Sequence, residues 1–152
     1  MRRFNYFLII SVVLLSALPY IATATEWQIQ TVDSEGWVGE FTSLALDNNG
    51  YPHISYYDGD NHNLKYAYWD GTEWQIQVVD SEEGAGRYTS LVLDRNGYPH
   101  ISYWDFPDFE LKYAYWDGTG WQIQTVDSWW VGGFTSLALD RNGYPHISYY
   151  DS

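Results

Sequence analysis

From residue 42 onward the chain is written in short apolar and aromatic runs, each closed by an aspartate and followed by turn residues. The first four runs are TSLALD (42–47), PHISYYD (52–58), LKYAYWD (64–70) and WQIQVVD (74–80), here called segments A, B, C and D. They are rich in Leu, Ile, Val, Tyr, Trp and Thr, which fit a pleated surface, and the closing Asp favours a turn. No stretch holds the 3.6-residue apolar period of a helix over ten residues. Both sides of a run such as KYAYW (65–69) are apolar or aromatic, which suits a strand covered on both faces. Four strands joined in chain order predict an antiparallel meander.

The connections support this. Between A and B stands DNNG (47–50), returning as DRNG at 94–97 and 140–143. Asp first, Asn third and Gly fourth suit a type I turn with the glycine left-handed, which closes a tight hairpin. Pro52, Pro99 and Pro145 then open segment B, a strand position that tolerates a missing N–H. Between C and D, DGTE (70–73) and DGTG (117–120) predict a second hairpin.

The chain repeats itself. NGYPHISYYD at 49–58 returns as NGYPHISYWD at 96–105 and NGYPHISYYD at 142–151, and WQIQ begins at 27, 74 and 121, a period of 47. Such a period marks a solenoid, propeller or array. Four strands per unit mark a propeller blade, whereas a sandwich needs no unit repeated in register. The fold class read from the sequence is all-β: propeller-type four-stranded antiparallel blades in an incomplete ring. The expected domain spans 25–152, with a leading strand D (27–33), blades over 42–80 and 89–127, and a partial blade over 135–151. This is about 2.7 repeats, against roughly 4 to 8 in a closed ring. The shortfall implies either a piece of a longer reading frame or a ring built from several chains, and an unpaired strand edge predicts self-association.

TSLALDxNGYPHISYYD…LKYAYWDGTxWQIQTVDS resembles the tandem propeller repeats of exported, largely uncharacterised archaeal and bacterial proteins, over essentially all of 27–151. The resemblance implies a fold and no particular activity. YWDGTEW (68–74) also resembles a degenerate Asp-box of sialidase-type propellers, although Asp70 and Gly71 are adjacent and no Ser precedes them. In those propellers that box implies a structural turn.

Charge and composition narrow the function. Twenty Asp plus Glu against seven Lys plus Arg give a net charge of -13, a field that repels phosphate backbones and argues against a nucleic-acid partner. Nine Trp and fifteen Tyr are foreign to disordered acidic chains. Residues 1–24 differ in kind: Arg2 and Arg3, then FLIISVVLLSAL (7–18), then Ala22 and Ala24 in a small-x-small arrangement. These read as a signal peptide cleaved after Ala24, which predicts a secreted or cell-surface protein. The apolar run is short for a bilayer span of about 20 residues, and no other segment could span a membrane. The absence of cysteine rules out disulfides, zinc–thiolate sites and a cysteine nucleophile.

Candidate chemistry is sparse. His53, His100 and His146 recur at one strand position, and blade geometry holds them apart, so a hydrogen bond inside each blade explains them better than a metal. Asp58, Asp60 and His62 alternate as in a calcium loop, but the second repeat reads DFPDFE (105–110) and no bidentate Glu follows. No metal and no cofactor are expected. A glycosidase needs paired carboxylates, and the many here sit at strand ends where turns account for them. No catalytic residue is assigned and no enzyme is expected.

Repeats that are nearly identical differ in their DA connections, EGWVGEF (35–41), EEGAGRY (82–88) and WWVGGF (129–134), and in their BC connections. In a meander these emerge together on one face, and loops on a rigid scaffold are where binding sits. The ligand-binding candidates are therefore Trp37, Trp130, Phe106 and Phe109, with Asp58 and Asp105 supplying polar contacts; inter-blade packing is the competing reading for the rings. The sequence reads as an exported binding or scaffold module for a glycan or a surface protein. The alternatives are a purely structural surface array and a fragment of a propeller glycoside hydrolase.

Overall fold

The structure, a computed structural model, describes residues 28–106 and 108–151; the expected leader peptide and Trp27 lie outside them. Thr31–Ser152 is one compact unit, distinct from Met1–Gln30. The strands are β1 (Val38–Leu46), β2 (Pro52–Asp58), β3 (Asn63–Trp69), β4 (Trp74–Asp80), β5 (Ala85–Leu93), β6 (Pro99–Asp105), β7 (Glu110–Trp116), β8 (Trp121–Asp127), β9 (Val131–Leu139) and β10 (Pro145–Asp151). No helix occurs among the described residues. The sheets run β1-β2-β3-β4, β5-β6-β7-β8 and β9-β10, all antiparallel.

The turns form as the sequence predicts. Asp47 Oδ1 accepts the N–H groups of Asn49 and Tyr51 at 2.8 and 2.7 Å, and Gly50 is left-handed at φ 81°. Asp70 Oδ1 accepts from the Thr72 hydroxyl and the Thr72 and Glu73 N–H groups, which hold its carboxyl well below the usual carboxylate range.

Two expectations about strand extent change. Segment A begins at Val38, Ala85 and Val131 rather than at 42, 89 and 135, because the glycine-bearing stretch before it is bulged strand rather than loop. Register shifts separate Glu40 from Ser43 and Arg87 from Ser90. Each bulge carries a left-handed aromatic residue, Phe41, Tyr88 or Phe134, at φ 52–55°. The leading strand D is not formed over 28–33. A strand persists where its N–H and C=O groups find a ladder, and no described strand pairs with this segment.

Blades are joined by repeated polar contacts around a shared core of Leu64, Tyr66, Val79, Leu91, Ile101 and Tyr103. Ser55 and Thr89 hydroxyls meet at 2.8 Å, as do Ser102 and Thr135 at 2.7 Å. Ser43 Oγ accepts the Leu91 N–H, and Ser90 Oγ the Leu137 N–H, both at 3.0 Å. At the segment D ends, Tyr56 donates to Asp33 at 2.7 Å, Tyr103 to Asp80 at 2.6 Å and Tyr149 to Asp127 at 2.6 Å. Lysines complete two of these locks. Lys65 pairs with Asp33 and Asp58 at 3.0 and 3.2 Å, and Lys112 pairs with Asp105 at 2.5 Å and with Glu82. Burial works against the Lys112 ammonium, but Asp105 and Glu82 outweigh it and hold its pKa above the ordinary lysine value.

His53 and His100 turn Nδ1 onto the hydroxyls of Tyr66 and Tyr113, while exposed His146 lies 4.0 Å from Asp140. Burial holds His53 and His100 below the ordinary histidine range, with Asp47 and Asp94 opposing it. The folded state therefore takes up protons less readily than the unfolded chain. Stability should be unaffected above the unfolded value of about 6.5 and fall as pH drops below it. The melting temperature is expected to decline from about pH 6.5 to 5, and the His53→Gln/His100→Gln double variant should flatten that decline. Identical slopes in the two proteins would refute this origin.

Candidate ligand-binding face

The BC and DA connections share one end of the meander. In the first blade they clip together: the Trp37 N–H donates to Asp60 Oδ2 at 2.9 Å, and the Trp37 carbonyl accepts from the Gly59 N–H at 2.8 Å. Trp37 is 65% exposed. In the second blade the Phe106 N–H donates to the Gly84 carbonyl at 3.2 Å. Adjacent blades are also joined here, by Gly84 N–H to the His62 carbonyl at 3.0 Å and Val131 N–H to the Phe109 carbonyl at 3.3 Å.

Three of the sequence candidates converge. Phe106 and Phe109 lie edge to face at 5.3 Å, and Phe109 stacks on Trp130 at 4.1 Å and 25°. Trp37 belongs to the first blade's own loops and stands apart from them. Asp58 and Asp105 lie beneath the loops, 0% and 1% exposed. Asp58 is held by Lys65 and by the Asn61 side chain at 2.9 Å, and Asp105 by Lys112.

The alternation at Asp58, Asp60 and His62 is absorbed by the loop itself. Asp60 caps the Trp37 N–H, and His62 Nδ1 meets the Tyr57 hydroxyl at 2.7 Å. Among the described residues, Asp80, Glu82 and Asp105 bring carboxylate oxygens within 4.8 Å of one another, and the Lys112 ammonium pairs with all three. The cation those acids face is a side chain.

The two inter-blade grooves on this face are built from equivalent positions filled differently. Between the second and third blades lies a cavity of about 250 Å³ lined by Tyr88, Trp104, Phe109, Trp130, Val131, Gly133, Phe134 and Tyr150. In the groove between the first and second blades, Arg87 stands where the next groove has Gly133. Its guanidinium lies 5.3 Å from the Tyr57 ring centre and 4.7 Å from that of Phe106. Tyr57 and His62, mutually hydrogen-bonded, are replaced in the second groove by Trp104 and Phe109. That exchange leaves the Trp104 indole N–H buried without an acceptor. Along the groove mouths the bulge aromatics form a ladder, Phe41 to Tyr88 at 4.6 Å and Tyr88 to Phe134 at 4.5 Å.

The sequence reading did not single out Arg87, Trp104, Gly133 or the ladder. The signals were present: Trp104 is the one change in the ISYYD motif, and 40, 87 and 133 read Glu, Arg and Gly at one repeat position.

The repeated four-stranded meander, each copy packed against the next through recurring side-chain contacts, defines an all-β protein with propeller-type blades. No family model matches the chain, and no curated protein matches it. Among solved structures it is similar to a fucose lectin from Kordia zhangzhouensis in complex with methyl-fucoside, with a TM-score of 0.51 and 24% identity over 72% of this chain and 82% of that one. At that identity the likeness establishes shared fold.

Proposed function

We propose that this chain is an exported glycan-binding propeller module, and that one sugar unit binds in the groove between the second and third blades. The observation that carries this is the Phe109–Trp130 stack beside a buried, unpartnered Trp104 N–H. An aromatic face takes the C–H face of a sugar ring, and an orphaned donor is satisfied by a hydroxyl oxygen. A cavity of about 250 Å³ is small for a ligand site and suits a single ring. The similarity to a fucose lectin supports the reading, and the leader-like start of the sequence supports export. Binding is favoured over catalysis because Asp58, Asp80 and Asp105 are engaged by lysine and tyrosine partners.

A glycan array followed by calorimetry tests this. Phe109→Ala and Trp130→Ala should each weaken binding about tenfold or more. Gly133→Arg, which installs the first groove's filling in the second, should abolish it. Thr72→Ala, on the hairpin face, should not change it. Equal losses from both faces, or no glycan bound by a natively folded protein, would shift the assignment to a structural repeat.

A further inference from the structure

We propose that a second, chemically different site lies on the opposite, hairpin face, in an aromatic cavity between the first and second blades, and that it takes a quaternary ammonium group. This stands independently of the glycan groove. The cavity measures about 280 Å³ and is walled by His53, Tyr66 and Tyr68 of the first blade and by Tyr98, Trp116 and Trp121 of the second.

The rings enclose the space from several directions. Tyr66 and Trp116 each meet Trp121 edge to face, at 5.4 and 5.8 Å. Tyr66 and His53 each stack on Tyr68, at 5.7 and 5.8 Å. The wall is part of the repeat, since His100, Tyr113 and Tyr115 hold the same mutual arrangement in the second blade.

Two of the polar contacts of this wall are made within it. His53 Nδ1 meets the Tyr66 hydroxyl, and the Trp121 indole N–H donates to Gln77 at 3.1 Å. No Lys or Arg lines the cavity, and the chain carries a net charge of -13. A fully alkylated ammonium fits each of these features. It has no N–H to satisfy, it is attracted to ring faces, and the acidic field favours its approach.

The experiment is a tryptophan-fluorescence titration of the whole chain with choline and with its uncharged isostere 3,3-dimethylbutan-1-ol. Choline should produce a saturable change at about tenfold lower concentration than the isostere. Trp116→Ala should remove that preference with the circular dichroism spectrum unchanged. Tyr98→Ala, at the exposed rim, provides a second variant should Trp116→Ala fail to fold. Phe109→Ala, in the glycan groove, should leave choline binding intact. Phosphocholine and phosphatidylcholine vesicles then separate the sources: binding of choline alone identifies a small soluble cation, and binding of vesicles as well a displayed headgroup. Absence of saturable choline binding, equal response to the isostere, or a folded cavity variant with unaltered choline affinity would overturn the proposal.

Discussion

Lys112→Ala is expected to lower stability by about 3–5 kcal/mol, because it strips the counter-ion from buried carboxylates. Lys112 is 5% exposed, and its ammonium pairs with Asp105, Asp80 and Glu82, the first two at least as deeply buried as the lysine. Lysine cannot simply be deleted from such a set: the carboxylates lose their attraction but keep their desolvation. The variant's pH dependence is diagnostic. Unpaired buried carboxylates have folded pKa values raised above their unfolded ones, so the deficit should shrink as pH falls toward 4 and those groups protonate. Lys65→Ala should cost less, because the Lys65 side chain is less enclosed than that of Lys112 and its buried partner Asp58 keeps the hydrogen bonds from Asn61. Urea unfolding of both variants measures the order. A Lys112→Ala loss below about 1 kcal/mol would mean that this pair behaves like an exposed one.

Gly86→Ala is expected to cost about 2–5 kcal/mol, from backbone strain together with overpacking. Gly86 sits at φ 107°, and a Cβ there would fall 2.7 Å from Leu64 Cα and 3.0 Å from Leu64 Cβ. The obstacle is the backbone of the neighbouring blade, which no rotamer change can move. Gly39 is the internal control: it occupies the same repeat position at φ 93°, and a Cβ added there would meet nothing within 4 Å. Gly39→Ala should therefore cost only the conformational part, about 1–2 kcal/mol. Chemical denaturation of the two variants separates strain from collision, and equal losses would show that blade-to-blade approach contributes nothing at Gly86.

These two effects belong to junctions, and junctions are the least readable part of the sequence. Strand content is plain, because alternation, β-branched and aromatic residues, prolines at strand starts and Asp-Asn-Gly turns are local signals. The histidines are also readable, since three copies at one strand position point to a role within the blade. The stretch VGEF (38–41) reads as loop because two register shifts break its alternation and leave a glycine as its clearest signal. Asp58 and Asp105 read as strand-end acids available to a ligand. Their burial depends on Lys65 and Lys112, whose placement is a consequence of strand pairing. Trp130 and Phe109 are both visible as loop aromatics, but their stacking requires the third blade to lie against the second.

The sequence by itself determined the unit: four strands, two tight hairpins and a period of 47 residues, all encoded by interactions between near neighbours in the chain. It also determined which connections vary. Tertiary structure alone decided what that variation does. Glu40, Arg87 and Gly133 are three letters at one repeat position, and only the packing of blade on blade makes one of them the filling of a groove and another the opening of one. The same holds for the hairpin face, where Tyr66 and Trp121 are 55 positions apart by number and 5.4 Å apart in space. Their meeting is set by the angle and distance between sheets, which depend on side-chain volume at the whole interface and are written in no single segment.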